Sequence, residues 1–396
     1  MKNVLIYYNK ENLAPTGGPR GYLYNLYQGL QKMNYSDITI SFLDNVYKNQ
    51  FKNSKAVKEK YNKLPLLLKN LYRIYGRYQE YCGFKAGLSS LTIEDINNYD
   101  GIHFHDVFAV YKNREVLNQY PGKVLLTTHC PKPPHLEKVE DMYSDFERFI
   151  YGKKHSAFYE ECVKYAFDRA DYIMFPCKEA EEPYYNNWDY YSTIHEKFDS
   201  KFRYLPTGLQ DCLPKVKQSK YDVRSKYSIP SDAFVVSFVG RHNYVKGYDK
   251  LREIAKSINN TKIYFLIAGE ETPLQRPNVR NWREAGWTND PYSIIKASDI
   301  FVLPNKETYF DLVLLEVLSL GTAVLASRTG GNKYFSTLES GIVLYDDKDQ
   351  AIGLLNDLFQ SRDRIKQMGE KNRMLFETQF TDECFAEKYI SLLKSI

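Results

Sequence analysis

Residues 297–331 read ASDIFVLPNKETYFDLVLLEVLSLGTAVLASRTGG, and this stretch decides the fold class. The run 300–303 is short, continuous and apolar, as a strand buried on both faces of a parallel sheet should be. Pro304 closes it. Leu312, Leu315 and Glu316 follow on a short helical stretch, and Gly321 stands where a helix ends on a left-handed residue. The run 322–326 is a second buried strand, and Gly330-Gly331 comes soon after it. Strand, polar loop, helix and strand make one βαβ winding.

The same winding continues on either side. In the second half, strand 234–239 ends at Gly240-Arg241, a helix follows over 246–258, and strand 263–268 ends at Gly269-Glu270. Strand 341–344 is followed by Asp347-Lys348-Asp349, read as a helix cap, and by a helical tail. In the first half, strand 4–8 precedes a loop with Gly17, Gly18, Pro19, Arg20 and Gly21. A helix carrying Leu23, Leu26, Tyr27 and Leu30 follows, then strand 38–43. Strand 101–104 ends at His105-Asp106, and strand 124–127 at Thr128-His129. A helix over 155–169 precedes strand 172–175, and strand 202–205 leads into Pro206-Thr207-Gly208. The polar stretch 210–231 reads as the link between halves. The expected organisation is an α/β chain: a first domain over 1–210, a linker over 211–232, a second domain over 233–375, and a C-terminal helix over 376–396 packing back on the first domain. In parallel sheets ligands bind outside the carboxyl ends of the strands, so the two halves are expected to face each other across a cleft.

Composition narrows the class. The chain has 396 residues, 43% apolar and 26% charged, which suits two globular α/β domains and excludes a disordered chain. Its 35 tyrosines place many amphipathic rings at the surface. The six cysteines form no CxxC pair and no disulfide or zinc spacing, so reduced thiols are expected. No signal peptide and no membrane-spanning run is read, and the expected location is cytoplasmic. Sequences of the GxSxG, HExxH and Walker type are absent, and no nucleic-acid module is recognisable, so no nucleic-acid partner is expected.

In order, Gly240-Arg241 with Lys246-Gly247, Ala268-Gly269, the run ASDIFVLP at 297–304, LVLLE at 312–316, GTAV at 321–324 and Thr329-Gly330-Gly331 resemble the donor-binding domain of glycosyltransferase family 4. These are retaining enzymes of the GT-B fold, two Rossmann-like domains facing each other across a cleft. The likeness covers 234–345. It continues more loosely through Gly17-Gly18, His103-x-His105-Asp106, Thr128-His129 and Pro206-x-Gly208.

The resemblance implies a nucleotide-sugar donor and a glycan or lipid-linked acceptor, with no metal and no cofactor. Arg241 and Lys246 would hold the donor diphosphate, whose growing charge fixed cations stabilise. Gly240, Gly269, Phe310 and Leu312 would line the same donor site, and Glu316 would accept the ribose hydroxyls. Gly17 and Gly18 would let backbone approach the donor phosphates. His129 would lie near the reacting sugar as a catalytic group, with His105 beside the acceptor. His103 and His105 share a strand face, but no third metal ligand accompanies them.

Three positions depart from the family pattern. Its first glutamate would fall at Thr308, whereas Glu307 stands one place earlier. Either the loop holds an extra residue and Glu307 reaches the donor sugar, or Thr308 takes that place; we expect Glu307. A glycine is usual at Asp311, where an acid beside a diphosphate is unfavourable unless it turns away or caps the helix. A glutamate is usual at Tyr334.

Charge is uneven as well. Between Lys48 and Arg77 there are nine basic residues and one acid, Glu59, against a net +5 for the chain. Leu64, Leu67, Leu68, Leu71, Tyr75 and Tyr78 fall on one helical face, and Lys69, Arg73 and Arg77 on another. A basic amphipathic helix over 63–81 suits the anionic inner face of a cell membrane.

The function expected is a retaining hexosyltransferase using a nucleotide-diphosphate sugar, UDP-sugar favoured, in bacterial surface polysaccharide synthesis. The rival readings are a catalytically degenerate scaffold, motivated by Glu307 and Asp311, and a GT-B sugar-nucleotide epimerase.

Overall fold

The computed structural model describes residues 1–8, 13–15, 17–43, 65–87, 89 and 91–396. Among these residues, twelve strands form two six-stranded sheets, parallel throughout. The first sheet holds β1 (Asn3–Tyr7), β2 (Thr39–Phe42), β3 (Gly101–Phe104), β4 (Lys123–Thr127), β5 (Tyr172–Phe175) and β6 (Phe202–Tyr204), in the order β2-β1-β3-β4-β5-β6. The second holds β7 (Phe234–Val239), β8 (Ile263–Ala268), β9 (Trp282–Gly286), β10 (Ile300–Leu303), β11 (Ala323–Ser327) and β12 (Ile342–Tyr345), in the order β12-β11-β10-β7-β8-β9. The order changes direction between β1 and β3 in one sheet and between β7 and β10 in the other. Crevices open at such switch points, outside the strand C-termini.

Residue choice accounts for these sheets. β3, β4, β7, β8, β10 and β11 are almost wholly buried; β8 and β10 are unbroken apolar runs, and the others are mainly apolar, interrupted by single polar residues such as His103 and Ser237. β9 was not expected. It is an edge strand whose sequence WREAG buries only Trp282, so it carries no apolar run to read. The helix expected over 155–169 spans Asp145–Arg169. Its first ten residues leave Phe146, Phe149 and Ile150 exposed, which hides the apolar period. The start is marked instead by a capping box of Ser144 and Glu147.

The stretch 211–232, expected as a linker, carries helix Lys220–Lys226. Its Val223 packs with Ile229, Val235, Leu266 and Ile294 against the second sheet. The last helix, Asp382–Ser395, returns to the first domain and packs on helix Gly18–Lys32. Gly29 makes that approach possible, because a Cβ there would sit 2.0 Å from the Asp382 carbonyl oxygen. Lys32 pairs with Asp382 at 2.8 Å and Met1 donates its terminal N–H to the Leu393 carbonyl.

Helix Leu66–Ala86 forms where an amphipathic helix is expected, and it buries no residue fully. Lys63 and Leu64 lie outside the described residues. Its C-terminal half lies along helix Asp145–Arg169: Arg77 meets Glu147 at 3.1 Å, Tyr81 stacks on His155, and Phe84 packs edge-on to Tyr159. The contacts advance together, so the helices run parallel. Leu66, Leu67, Leu71, Tyr72 and Tyr75 stay exposed on the N-terminal half.

Candidate active site

The second domain's share of the cleft is built at the β7/β10 switch point. Arg241 leaves β7 and is exposed. Lys246 closes the following loop, and Gly247 adopts φ +66 against Pro304 at the end of β10. A Cβ at 247 would lie 1.7 Å from the Pro304 carbonyl oxygen, so only glycine lets the two loops meet. Lys306 then donates its N–H to the Val245 carbonyl at 3.0 Å. Helix Leu312–Ser319 starts beside this junction with no side chain capping its first N–H groups. Such free N–H groups and the helix dipole favour an anion.

Asp311 neither caps that helix nor turns away. Its carboxylate accepts from Lys246 Nζ at 2.7 Å and from Asn305 Nδ2 at 2.7 Å. One of the two expected diphosphate cations is thus paired with an acid of its own chain. The ring of Phe310 is packed against Phe335 and Phe380 in the core. What position 310 can offer the cleft is backbone. Leu312 is the first residue of the helix and is half-buried, its side chain against the same core. Glu316 lies one turn further on, bonded to Tyr292, with burial pushing its carboxyl up to about 7. Gly240 and Gly269 meet where β7 and β8 end: a Cβ on Gly269 would lie 1.9 Å from the Gly240 carbonyl oxygen. Tyr334 packs with Phe310 and Phe335.

Glu307 and Thr308 are separated sharply. Thr308 is 1% exposed, and its hydroxyl has no hydrogen-bond partner among the described residues. Glu307 is half-buried, and burial raises its carboxyl, with Lys132 opposing and Asp141 and Glu140 adding to the rise. Glu307 is thus within electrostatic reach of Lys132, Glu140 and Asp141 in the first domain. Tyr309, which sequence reasoning passed over, crosses the cleft. Its hydroxyl donates to the Met174 carbonyl at 3.2 Å and its ring packs on Phe175 and near His129. A large aromatic in a loop at a strand end was the available signal. Lys333 and Glu182 add an ion pair between the domains at 2.6 Å.

The first domain's share comes from β1, β3 and β4. Gly17 has φ +85 and caps helix Gly18–Lys32, with open space around both glycines. His129 follows β4 at φ +57, a left-handed conformation rare for a residue with a Cβ. His129 Nε2 and His105 Nδ1 lie 2.8 Å apart, and Tyr22 packs edge-on to His129. His105 was expected beside an acceptor; its imidazole is 2% exposed and bonded to His129. His103 has both nitrogens engaged, by Tyr389 and Thr127, each at 2.8 Å. Burial holds His103 at about 3, and holds His105 well below the usual histidine range, so both rings are neutral. A cavity of about 350 Å³ opens here, lined in part by His105, His129, Phe84, Phe108, Glu137 and Lys138.

Two parallel α/β sheets with switch-point loops opposed across a cleft define the GT-B fold. Residues 233–360, about a third of the chain, match the family described as Glycosyl transferases group 1. Over its whole length the chain is similar to HepE of Anabaena in complex with UDP-glucose, with a TM-score of 0.62, 13% identity, and 100% of both chains covered. Similarity in sequence extends to the lipopolysaccharide core biosynthesis glycosyltransferase LpsD of Rhizobium meliloti, 27% identical over 43% of this chain and 52% of that protein. It extends also to the O-antigen biosynthesis glycosyltransferase WclY of Escherichia coli, 23% identical over 47% of this chain and 53% of that protein. The chain thus spans about half the length of the curated relatives it matches.

Proposed function

We propose that the protein is a retaining glycosyltransferase. It moves a hexose from a nucleotide-diphosphate sugar, a UDP-sugar by preference, to a glycan or polyprenyl-linked acceptor in bacterial surface polysaccharide synthesis. The observation that carries this reading is that the loop bearing Arg241 and Lys246 meets an uncapped helix N-terminus at one switch point, opposite His129 and its cavity at the other. The first set suits a departing diphosphate; the second suits a sugar hydroxyl. Glu316 serves the ribose, Gly17 and Gly18 flank the phosphates, and Glu307 serves the donor sugar. That HepE was solved with UDP-glucose supports the UDP preference. No metal or other cofactor takes part.

The protein docks on the inner face of the membrane through the exposed N-terminal half of helix Leu66–Ala86. Its Leu66, Leu67, Leu71 and Tyr75 would enter the lipid boundary while Lys69 and Arg73 meet anionic headgroups. No helix among the described residues is long and apolar enough to cross a membrane. Arg77, counted with these cations from the sequence, is instead bound to Glu147, Glu80 and the Met142 carbonyl.

A thermal-shift panel of UDP-, GDP- and ADP-sugars, followed by a donor-hydrolysis assay, tests the proposal. A ligand bound only by the native state raises Tm by mass action. One nucleotide series should raise Tm and its sugar should be released slowly. Stabilisation without release would favour the scaffold, to which the Asp311–Lys246 pair already lends support; conversion of the sugar nucleotide alone would favour the epimerase.

A further inference from the structure

We infer that His105 is a positioning residue: it donates Nδ1–H to His129 Nε2 and so fixes His129 as its Nδ1–H tautomer. The inference rests on His129 belonging to the proposed site. In the 2.8 Å contact one ring must donate and the other accept. His105 follows β3, its ring tilted against His103 with centroids 4.0 Å apart, and His103's own nitrogens are taken by Tyr389 and Thr127. In that enclosure His105 is neutral and carries a single N–H. Its Nε2 is buried with no hydrogen-bond partner among the described residues. A proton on Nε2 would be a buried donor without an acceptor, and orphaned N–H groups are rarer in folded proteins than under-used acceptors. The proton therefore sits on Nδ1 and points at His129.

Two consequences follow for His129. Its Nε2 is occupied as an acceptor, which withdraws that nitrogen from general-base work. Its other ring nitrogen, Nδ1, then carries the proton and is a donor, not a base. The left-handed backbone at φ +57 belongs to the same arrangement, since strain of this kind is retained where surrounding contacts fix a side chain. Tyr22, packed on both rings, blocks the alternative ring flips.

Long-range proton–nitrogen correlation spectra of the full chain labelled with [15N]histidine test this, with His129→Gln and His105→Asn supplying assignments. In the wild type, His129 Nδ1 should carry the proton and Nε2 should resemble a pyridine nitrogen. His105→Leu should return His129 to the Nε2–H form that free imidazole prefers in water. His105→Asn, whose amide N–H can reach the place of Nδ1, should keep the Nδ1–H form. An Nε2–H tautomer in the wild type overturns the inference, as does a tautomer unmoved in His105→Leu. Should His105→Leu fail to fold, the wild type and His105→Asn spectra still decide. Donor turnover is the separate arm: His105→Leu should lose about tenfold or more in kcat and His105→Asn much less. Correct tautomers with unaltered turnover would leave the pair standing and remove His129 from the proposed reaction.

Discussion

At the scale of single residues, charge decides most. Arg241→Ala or Lys246→Ala should cost about 2–4 kcal/mol in kcat/KM, as expected when a preorganised cation on a leaving group is lost. The two are not equivalent, because Lys246 already holds Asp311 at 2.7 Å. Lys246→Ala frees a carboxylate beside the diphosphate, so part of its cost is new repulsion. Asp311→Asn should tighten nucleotide-diphosphate binding by about 1 kcal/mol, and the double variant Lys246→Ala/Asp311→Asn should recover part of the single-mutant loss. Calorimetric affinities across the four proteins check this; a weaker-binding Asp311→Asn would make Asp311 a donor contact instead. The next pair is set by orientation. Glu307→Gln should lower kcat more than nucleotide affinity if Glu307 serves the donor sugar as proposed, its carboxyl being within electrostatic reach of the first domain. Thr308→Val should leave kcat nearly unchanged and raise Tm, by removing a buried hydroxyl without a hydrogen-bond partner among the described residues, at a gain of about 1 kcal/mol. Glu316 supplies the pH dependence. Burial lifts its carboxyl to about 7, so the neutral acid's contribution to stability is full below the usual carboxylate value and is lost as pH rises through about 7. Ribose hydroxyls are received better by the ionised form. Nucleotide affinity should therefore climb with pH up to about 7 and level off above it, and Glu316→Gln should flatten the curve. None of these pairings was legible in sequence: Lys246 and Asp311 are 65 residues apart, and only folding brings them together.

Elements were legible in proportion to how fully they are buried. The strands β7, β8 and β10 match their expected runs end to end, because a strand covered on both faces is mainly apolar, the buried Ser237 of β7 being satisfied by Ser298. Edge strand β9 and the first turns of helix Asp145–Arg169 escaped notice because they are half in water. Helix Leu66–Ala86 is the opposite case, since its apolar face is plain in sequence and is not buried in the fold. That contrast motivates the membrane prediction. Reversal of Lys69 and Arg73 to Glu should reduce sedimentation with anionic vesicles by about tenfold or more, given about 1 kcal/mol per basic residue near such a surface. The fold should be untouched, because neither belongs to the contact with helix Asp145–Arg169. Arg77→Glu should behave differently. It would place an acid against Glu147 and Glu80 and lower Tm in the absence of any lipid. Equal sedimentation of the wild type and the double reversal would remove the helix from membrane docking.

At the scale of the whole molecule, the two domains meet through the loop 304–311, the proposed donor loop. Tyr309 enters the first domain between Phe175 and His129, while its neighbours Glu307 and Asp311 belong to the cleft. Gly331 keeps this loop close, since a Cβ there would lie 2.1 Å from the Tyr309 carbonyl oxygen. Domain separation would therefore drag the donor loop away from His129, and closure would set both sides of the site at once. The sequence announced two facing domains but not this coupling, because a tyrosine in a polar loop carries no sign of which domain will bury it. Tyr309→Phe removes the hydroxyl's bonds to the Met174 carbonyl and to Thr128 and should cost about 1–2 kcal/mol with little change in kcat. Tyr309→Ala empties an aromatic-sized space and should cost about 3–5 kcal/mol if the domains stay docked. If they part instead, the loss of stability is smaller, small-angle scattering shows a larger radius of gyration, and kcat falls steeply because the donor loop and His129 no longer face each other. The two outcomes separate a packing residue from a hinge-side latch, and we expect the second. A Tyr309→Ala protein with unaltered radius and near-normal kcat would show that closure is held elsewhere, by Lys333 with Glu182 and by the C-terminal helix.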